Sequence, residues 1–139
     1  MAKTVADVMT ADPATVEAAQ PVSVAARLML EHDTGAVIVT DDGRVSGIIT
    51  DRDITVRVVS QDKGSDTPVQ EACSGSDIQT VGPDTSIDQV VQIMRSSAIR
   101  RLPVVEKGRA VGIVSIGDLA IERDPDSALA DLSAAEGNQ

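Results

Sequence analysis

The sequence repeats itself at an interval of 65 residues, and this limits the possible folds more than any other feature. Thr15-Val16 falls on Thr80-Val81, Met29 on Met94, Val39 on Val104 and Gly43-Arg44 on Gly108-Arg109. Gly47-Ile48 falls on Gly112-Ile113 and Asp53 on Asp118. Val22 with Ile87, Leu28 with Ile93, Thr50 with Ser115 and Ile54 with Leu119 are conservative matches in the same register, with no gap from Thr15 to Ile54. Chance matches would scatter, whereas these cluster at glycines and apolar positions, as expected of a duplicated structural unit.

Each copy has one plan. A short extended piece at Thr15-Val16 or Thr80-Val81 precedes a helix. In the second copy Thr85-Ser86 supplies the cap, and Ile87, Val90, Val91 and Met94 share one face. In the first, Pro21 stands near the helix start and Val22, Ala26 and Met29 are the inward candidates. The β-branched run Ala36-Val37-Ile38-Val39, matched by Leu102-Pro103-Val104-Val105, leads into a turn with glycine at Gly43 or Gly108. Return strands Val45 to Thr50 and Ala110 to Ser115 run into closing helices that start near Asp51 and Ile116. The segment Ile54 to Val59 is as β-prone as helical by propensity, and its register with Leu119-Ala120-Ile121-Glu122 decides for helix.

The expected fold is therefore α/β (α+β), a tandem of βαββα units, each with a small mixed sheet. One such sheet has an apolar face too large for one copy to cover, so the copies are expected to pack as a pseudo-two-fold pair. Residues 1–61 make the first copy, 62–68 a polar linker with Gly64 and Pro68, and 69–124 the second copy. Val5 to Met9 and Val69 to Cys73 read as lead-in helices. Residues 125–139, rich in Ala and Asp, read as a frayed helix or a disordered end.

Composition removes several functions. With 22 acidic and 12 basic residues the net charge is −10, which repels nucleic acid and anionic membranes. No Phe, Tyr or Trp is present, so a flat ring has to be held by aliphatic side chains and backbone. One cysteine, Cys73, and one histidine, His32, leave no disulfide framework, metal set or Ser-His-Asp triad. Cys73 matches Met9 in kind and reads as a small packing residue; His32 reads as a helix C-terminal or surface residue. No signal peptide or spanning segment is visible, which points to the cytoplasm. No catalytic constellation accompanies Asp51 and Asp53, so the chain is not expected to be an enzyme.

The chemistry is concentrated in Gly-Ile-Ile-Thr-Asp-Arg-Asp (47–53) and Gly-Ile-Val-Ser-Ile-Gly-Asp (112–118). Thr50 with Asp53, and Ser115 with Asp118, have the spacing of a helix capping box. The same geometry suits a ligand: a helix start offers amides to phosphate, and its carboxylate can accept from a ribose diol. Both alternatives stand on the residues alone.

This twice-occurring motif within a βαββα tandem, with Val-x-Asp-Val-Met-Thr (5–10) ahead of it, resembles the CBS-domain family, whose pairs are called Bateman modules. The resemblance spans residues 4 to 124 and is closest to stand-alone bacterial CBS-pair proteins, including hypoxia- and stress-associated ones. It implies a regulatory module that binds AMP, ADP, ATP or a related adenosyl ligand in the cleft between repeats, with no obligatory cofactor and no metal. Asp53 and Asp118 would hold ribose, with Thr50 and Ser115 near ribose or phosphate. Backbone at Thr15-Val16 or Thr80-Val81, with Ile38 or Pro103, would line the base. Arg100 and Arg101 resemble the family's phosphate-contacting segment, whereas the matching Gly35-Ala36 carry no charge, so unequal sites are expected. The family also implies a homodimer forming a four-repeat disc, with Ile54 and Val58 as contacts. The alternative is a ligand-free stress-response or interaction module, with an unidentified protein partner, whose Ser/Thr-x-x-Asp motifs are only caps.

Overall fold

The computed structural model describes residues 4–73 and 78–123. In chain order it contains β1 (Thr10–Ala11), β2 (Thr15–Glu17), α1 (Val22–His32), β3 (Ala36–Asp41), β4 (Arg44–Thr50) and α2 (Asp51–Arg57). Next come α3 (Ile87–Ser97), β5 (Arg101–Glu106), β6 (Arg109–Ser115) and α4 (Ile116–Arg123), with 3-10 turns at Val5–Asp7, Val59–Gln61 and Val69–Glu71. The tail expected from residue 125 on lies outside the described residues.

The repeat reappears as one hairpin built twice. Ala36 pairs with Thr50 and Ile38 with Ile48 across β3–β4; Arg101 pairs with Ser115 and Pro103 with Ile113 across β5–β6. The register shifts after Val39 in one ladder and after Val104 in the other, 65 residues on. Both turns put two successive residues at positive φ, Asp42 (55°) with Gly43 (82°) and Lys107 (54°) with Gly108 (82°). Two left-handed residues give a turn whose twist matches the flanking strands, and glycine adopts the second without a Cβ penalty.

The helices also correspond. Val22, Ala25 and Met29 are the buried residues of α1; Ile87, Val90 and Met94, each 65 positions later, are those of α3. Ala25 takes the inward place expected for Ala26, which is exposed. Ser86 caps α3 through the Gln89 amide, whereas Pro21 offers α1 no side-chain cap. The polar stretch between copies makes up for this: Val22 N donates to Thr67 O at 2.8 Å and Ser23 N to Ser65 O at 3.1 Å. The stretch expected to be a linker thus caps a helix.

Packing groups the chain differently from sequence order. Ala14–Ile78 form one compact unit, and the described parts of Met1–Pro13 and Gln79–Gln139 form another. Val5 is fully buried in a core with Val81, Val90, Leu102 and Leu119, while Val69 and Ala72 are buried with Val16, Val37 and Ile49. Each lead-in therefore completes the core of the other copy, as a 3-10 turn. The backbone bonds are reciprocal. Val5 N donates to Thr85 O and Ala6 N to Pro83 O; Val69 N donates to Gln20 O and Gln70 N to Ala18 O. Thr4 bridges Ser86, and Pro68 bridges Pro21. Burial of each valine is worth about 1.5–3 kcal/mol, so the lead-ins are structural parts of their units.

One asymmetry has a covalent cause. β2 runs parallel to β3 over three residues, but Val81 makes only an isolated parallel bridge to Val104. Ile38 N donates to Ala14 O at 3.1 Å; Pro103, at the matching position, has no N–H to donate. The second sheet is instead extended at its other edge by β1, antiparallel to β6. No described helix is long and apolar enough to cross a membrane.

Candidate functional site

The end of each hairpin is where the Ser/Thr-x-x-Asp motifs lie. β4 hands over to α2 at Thr50 with no intervening loop, so Thr50 is both the last strand residue and the helix cap. Thr50 N donates to Asp53 Oδ2 at 2.9 Å, and Asp53 N donates to Thr50 Oγ1 at 3.1 Å. Ser115 N donates to Asp118 Oδ2 at 2.8 Å, and Asp118 N to Ser115 Oγ at 3.1 Å. Both motifs are closed capping boxes. The next amide is also satisfied alike, with Asp51 N on Gly35 O at 3.0 Å and Ile116 N on Arg100 O at 2.8 Å.

The capping boxes use one carboxylate oxygen each for the strand-end amide. An ionised carboxylate has about four lone-pair positions, so acceptor capacity remains on both aspartates. The remaining oxygens have different neighbours. Asp53 Oδ1 lies 4.0 Å from Arg57 Nε, and Arg57 Nη1 donates to Ala72 O and Cys73 O at 3.2 and 3.3 Å. The residue matching Arg57 is Glu122, so this cation belongs to the first copy alone. Burial pushes the Asp118 carboxyl above its usual range, opposed by the hydrogen bonds from Ser115.

Alternation along the strands sorts the other residues. Val37, Val39 and Ile49 face the core of their unit, so Ile38, Ile48, Ala36 and Thr50 face the opposite side of the sheet. Thr15 pairs with Ile38 and shares that side. In the second sheet Leu102, Val104 and Val114 are core residues, which puts Arg101, Pro103, Ile113 and Ser115 on the opposite side. Thr80 is the exposed residue before the Val81 bridge. Val16 and Val81 turn their side chains into the cores, and their backbone groups are taken up by sheet pairing; Val105 N, for example, donates to Val81 O at 2.8 Å.

The two arginines that precede and open β5 part company. Arg101 is half-buried and directly opposite Ser115; Arg100 is exposed, and its carbonyl is used by the start of α4. Sequence reasoning passed over Ile48 and Ile113, which share ladder rows with Ile38 and Pro103, and period-two alternation from Thr50 and Ser115 would have found them. It also passed over Arg57, one turn beyond Asp53 on α2. Cys73 packs against the core of the first unit as Met9 does against that of the second, and burial raises its thiol. Among the described residues no group of three or more His, Cys, Asp or Glu could hold a metal.

The family model described as CBS domain matches residues 5–60 and 69–123. CBS domain-containing protein YhcV of Bacillus subtilis is 40% identical over 119 residues, covering 86% of this chain and 84% of that protein. Hypoxic response protein 1 of Mycobacterium tuberculosis is 34% identical over 118 residues, covering 84% and 82% of the two chains. Among solved structures, the CBS domain pair of protein MJ0100, in complex with methylthioadenosine and S-adenosyl-L-methionine, superposes with a TM-score of 0.79. It is 26% identical, and the match covers 89% of this chain and 98% of that one.

Proposed function

This chain belongs to the CBS-domain family, and from that premise we propose that it is a non-catalytic regulatory module that binds an adenine nucleotide (AMP, ADP or ATP) or a related adenosyl compound. The observation that carries the proposal is the hydroxyl–carboxylate pair at the end of each sheet, with acceptor capacity left on Asp53 and Asp118. In this reading the spare carboxylate positions accept a ribose diol. Ile38 and Ile48, or Pro103 and Ile113, supply the aliphatic surface that a base needs in a chain without aromatic rings. The complex of the MJ0100 pair with two adenosyl compounds supports the ligand class.

The two ends are unequal. Arg101 beside Ser115 suits a phosphate, whereas Ala36 beside Thr50 offers no charge and Asp53 faces Arg57. The second copy is the phosphate-competent one, and Arg100 contributes only long-range charge. Thermal unfolding by circular dichroism with AMP, ADP, ATP and S-adenosylmethionine tests this. A ligand at about 100 times its Kd stabilises by about 2.7 kcal/mol. No shift with any of them overturns the proposal. It would favour the second reading, in which both motifs act only as the caps they form and the chain works as a stress-response or interaction module without ligand.

Self-association is part of the same proposal, with cytoplasmic residence. Ile54 and Val58, expected as contacts, pack inward, Val58 being buried and Ile54 leaning on the core. Leu30, Val59 and Val56 are instead 81%, 63% and 42% exposed, and they supply the apolar contacts to a second copy.

A further inference from the structure

The two copies differ by a whole side chain at the end of the extended piece that opens each of them. In the first copy Glu17 ends β2, opposite Thr40. Its amide donates to Gln20 Oε1 at 2.9 Å, and its carboxylate accepts the hydroxyl of the buried Thr40. In the second copy Gly82, Thr85 and Val105 stand at the positions of Glu17, Gln20 and Thr40. The backbone is held in the same way, with Gly82 N donating to Thr85 Oγ1 at 3.0 Å and Val105 N to Val81 O at 2.8 Å. Where the first copy has its carboxylate arm, the second has an open pocket of about 540 Å³ bordered by Gly82 and Val105.

The lining is chemically specific. Thr80, Thr85, Gln89 and Gln92 supply hydroxyls and carboxamides, Ile93 and Val105 supply aliphatic surface, and no lining residue among those described is charged. Gln89 is oriented by its place in the α3 cap: its Oε1 accepts from Ser86 N and Ser86 Oγ, each at 3.4 Å, which leaves the two Nε2 protons to donate elsewhere. Thr85 Oγ1 is occupied as an acceptor by Gly82 N, so its own proton is also available. The first copy has Val24 where the second has Gln89. The second copy thus lacks the carboxylate and carries, beside the space it would fill, a donor that the first does not have. Such donors bond an ionised acceptor roughly twice as strongly as a neutral one.

We propose that this pocket is a separate small-molecule site that takes a short aliphatic monocarboxylate, in the place that the Glu17 side chain fills in the first copy. The ligand's carboxylate accepts from Gln89 Nε2 and the neighbouring Thr and Gln donors, and its hydrocarbon lies on Ile93 and Val105. The pocket is at the turn end of the β5–β6 hairpin. Val105 is four residues along β5 from Arg101, about 13 Å from the row that holds Ser115. Thr80 and Val81, expected to line a base, also border this pocket. The proposal does not depend on nucleotide binding at Asp118.

Butyrate has the Cα-to-Cδ skeleton of a glutamate arm and is the probe. In proton–nitrogen correlation spectra of the full chain, butyrate up to about 50 mM should shift the Gly82 and Thr85 amides and the Gln89 and Gln92 carboxamides saturably, with sodium chloride at equal ionic strength as the blank. Gly82→Glu supplies the arm from the chain itself. A Cβ at Gly82 meets Thr85 Oγ1 at 3.8 Å and Val105 O at 3.9 Å, both ordinary contacts, so the backbone accepts the change. Gln89→Glu keeps an acceptor for Ser86 N, preserving the α3 cap, and puts a second carboxylate where the donor was. Each variant should weaken butyrate at least about tenfold. Absence of a saturable shift in the parent overturns the proposal. An equal response to butyramide assigns the pocket to neutral acceptors and overturns it too, as does butyrate binding that either folded variant leaves intact.

Discussion

Arg101 stands directly across the β5–β6 ladder from Ser115, in the place that Ala36 holds beside Thr50. On the proposed reading, this pairing sets Arg101 beside a phosphate carried by a ligand of the Ser115–Asp118 pair. Arg101→Ala is expected to weaken binding of ADP or ATP about tenfold, the worth of one charge-assisted hydrogen bond of about 1.5 kcal/mol. Adenosine, which has no phosphate, should bind the variant as it binds the parent. Titration calorimetry with both ligands separates these effects, and equal losses would remove Arg101 from phosphate binding. Grafting arginine onto the first copy is not the converse experiment, because Ala36 is buried and a cation there is desolvated.

Asp118 ties stability to pH. Its carboxyl titrates above the unfolded value of 3.8 because burial disfavours the charged form, so the folded chain holds this proton more tightly than the unfolded one. Its contribution to stability is therefore full below 3.8 and is lost as pH rises through the folded value. Asn at 118 keeps an oxygen for the Ser115 amide and has no proton to exchange. Urea unfolding of parent and D118N at pH 7 and near pH 4 reads the difference: the parent should gain relative to the variant as pH falls. A pH-independent difference would contradict it.

Gly112 is fixed by the lead-in that crosses it. A Cβ there would overlap Met9 Sδ and meet Met9 Cγ at 2.9 Å and Thr10 O at 3.0 Å, so side chain and strand β1 must both move. Gly112→Ala is expected to cost about 1–3 kcal/mol by overcrowding. Adding Met9→Ala relieves the sulfur contact but not the carbonyl, so the double variant should lose less than the sum of the singles. Denaturant unfolding of the four proteins gives the coupling, and strict additivity would place the clash elsewhere.

Leu30 and Val59 are the most exposed large apolar side chains of the first unit. Leu30→Asp with Val59→Asp should leave the far-ultraviolet circular dichroism of the fold unchanged while thermal unfolding loses its dependence on protein concentration. The same variant should halve the mass seen by sedimentation. A dimer that survives both substitutions would have its interface elsewhere.

The repeat made the hairpins legible, because strand pairs at a fixed offset keep their partners. Thr50 with Asp53 and Ser115 with Asp118 were legible for a related reason, each being a local pattern within one turn. The inward set of α2 was not. Propensity over Ile54 to Val59 could not say that Val58 is buried while Val56 and Val59 face out, since a short helix passing into a 3-10 turn has no steady period. The partners of Val5 and Val69 were hidden for a different reason. Three-residue turns carry no periodic signal, and sequence order assigned each to the copy it precedes. The single bridge at Val81 could have been foreseen, since Pro103 announces a missing donor in the sequence itself.

The crossing of the lead-ins means that the duplication can no longer be undone by excision. A polypeptide of residues 1–61 would carry a Val5 cut off from its core and a core short of Val69 and Ala72. The shortest stretch that keeps one described core whole runs from Ala14 to Cys73, which starts inside one copy and stops inside the next. A single copy by itself would need those missing pieces from another molecule. Within one chain each lead-in supplies them to the copy it does not precede.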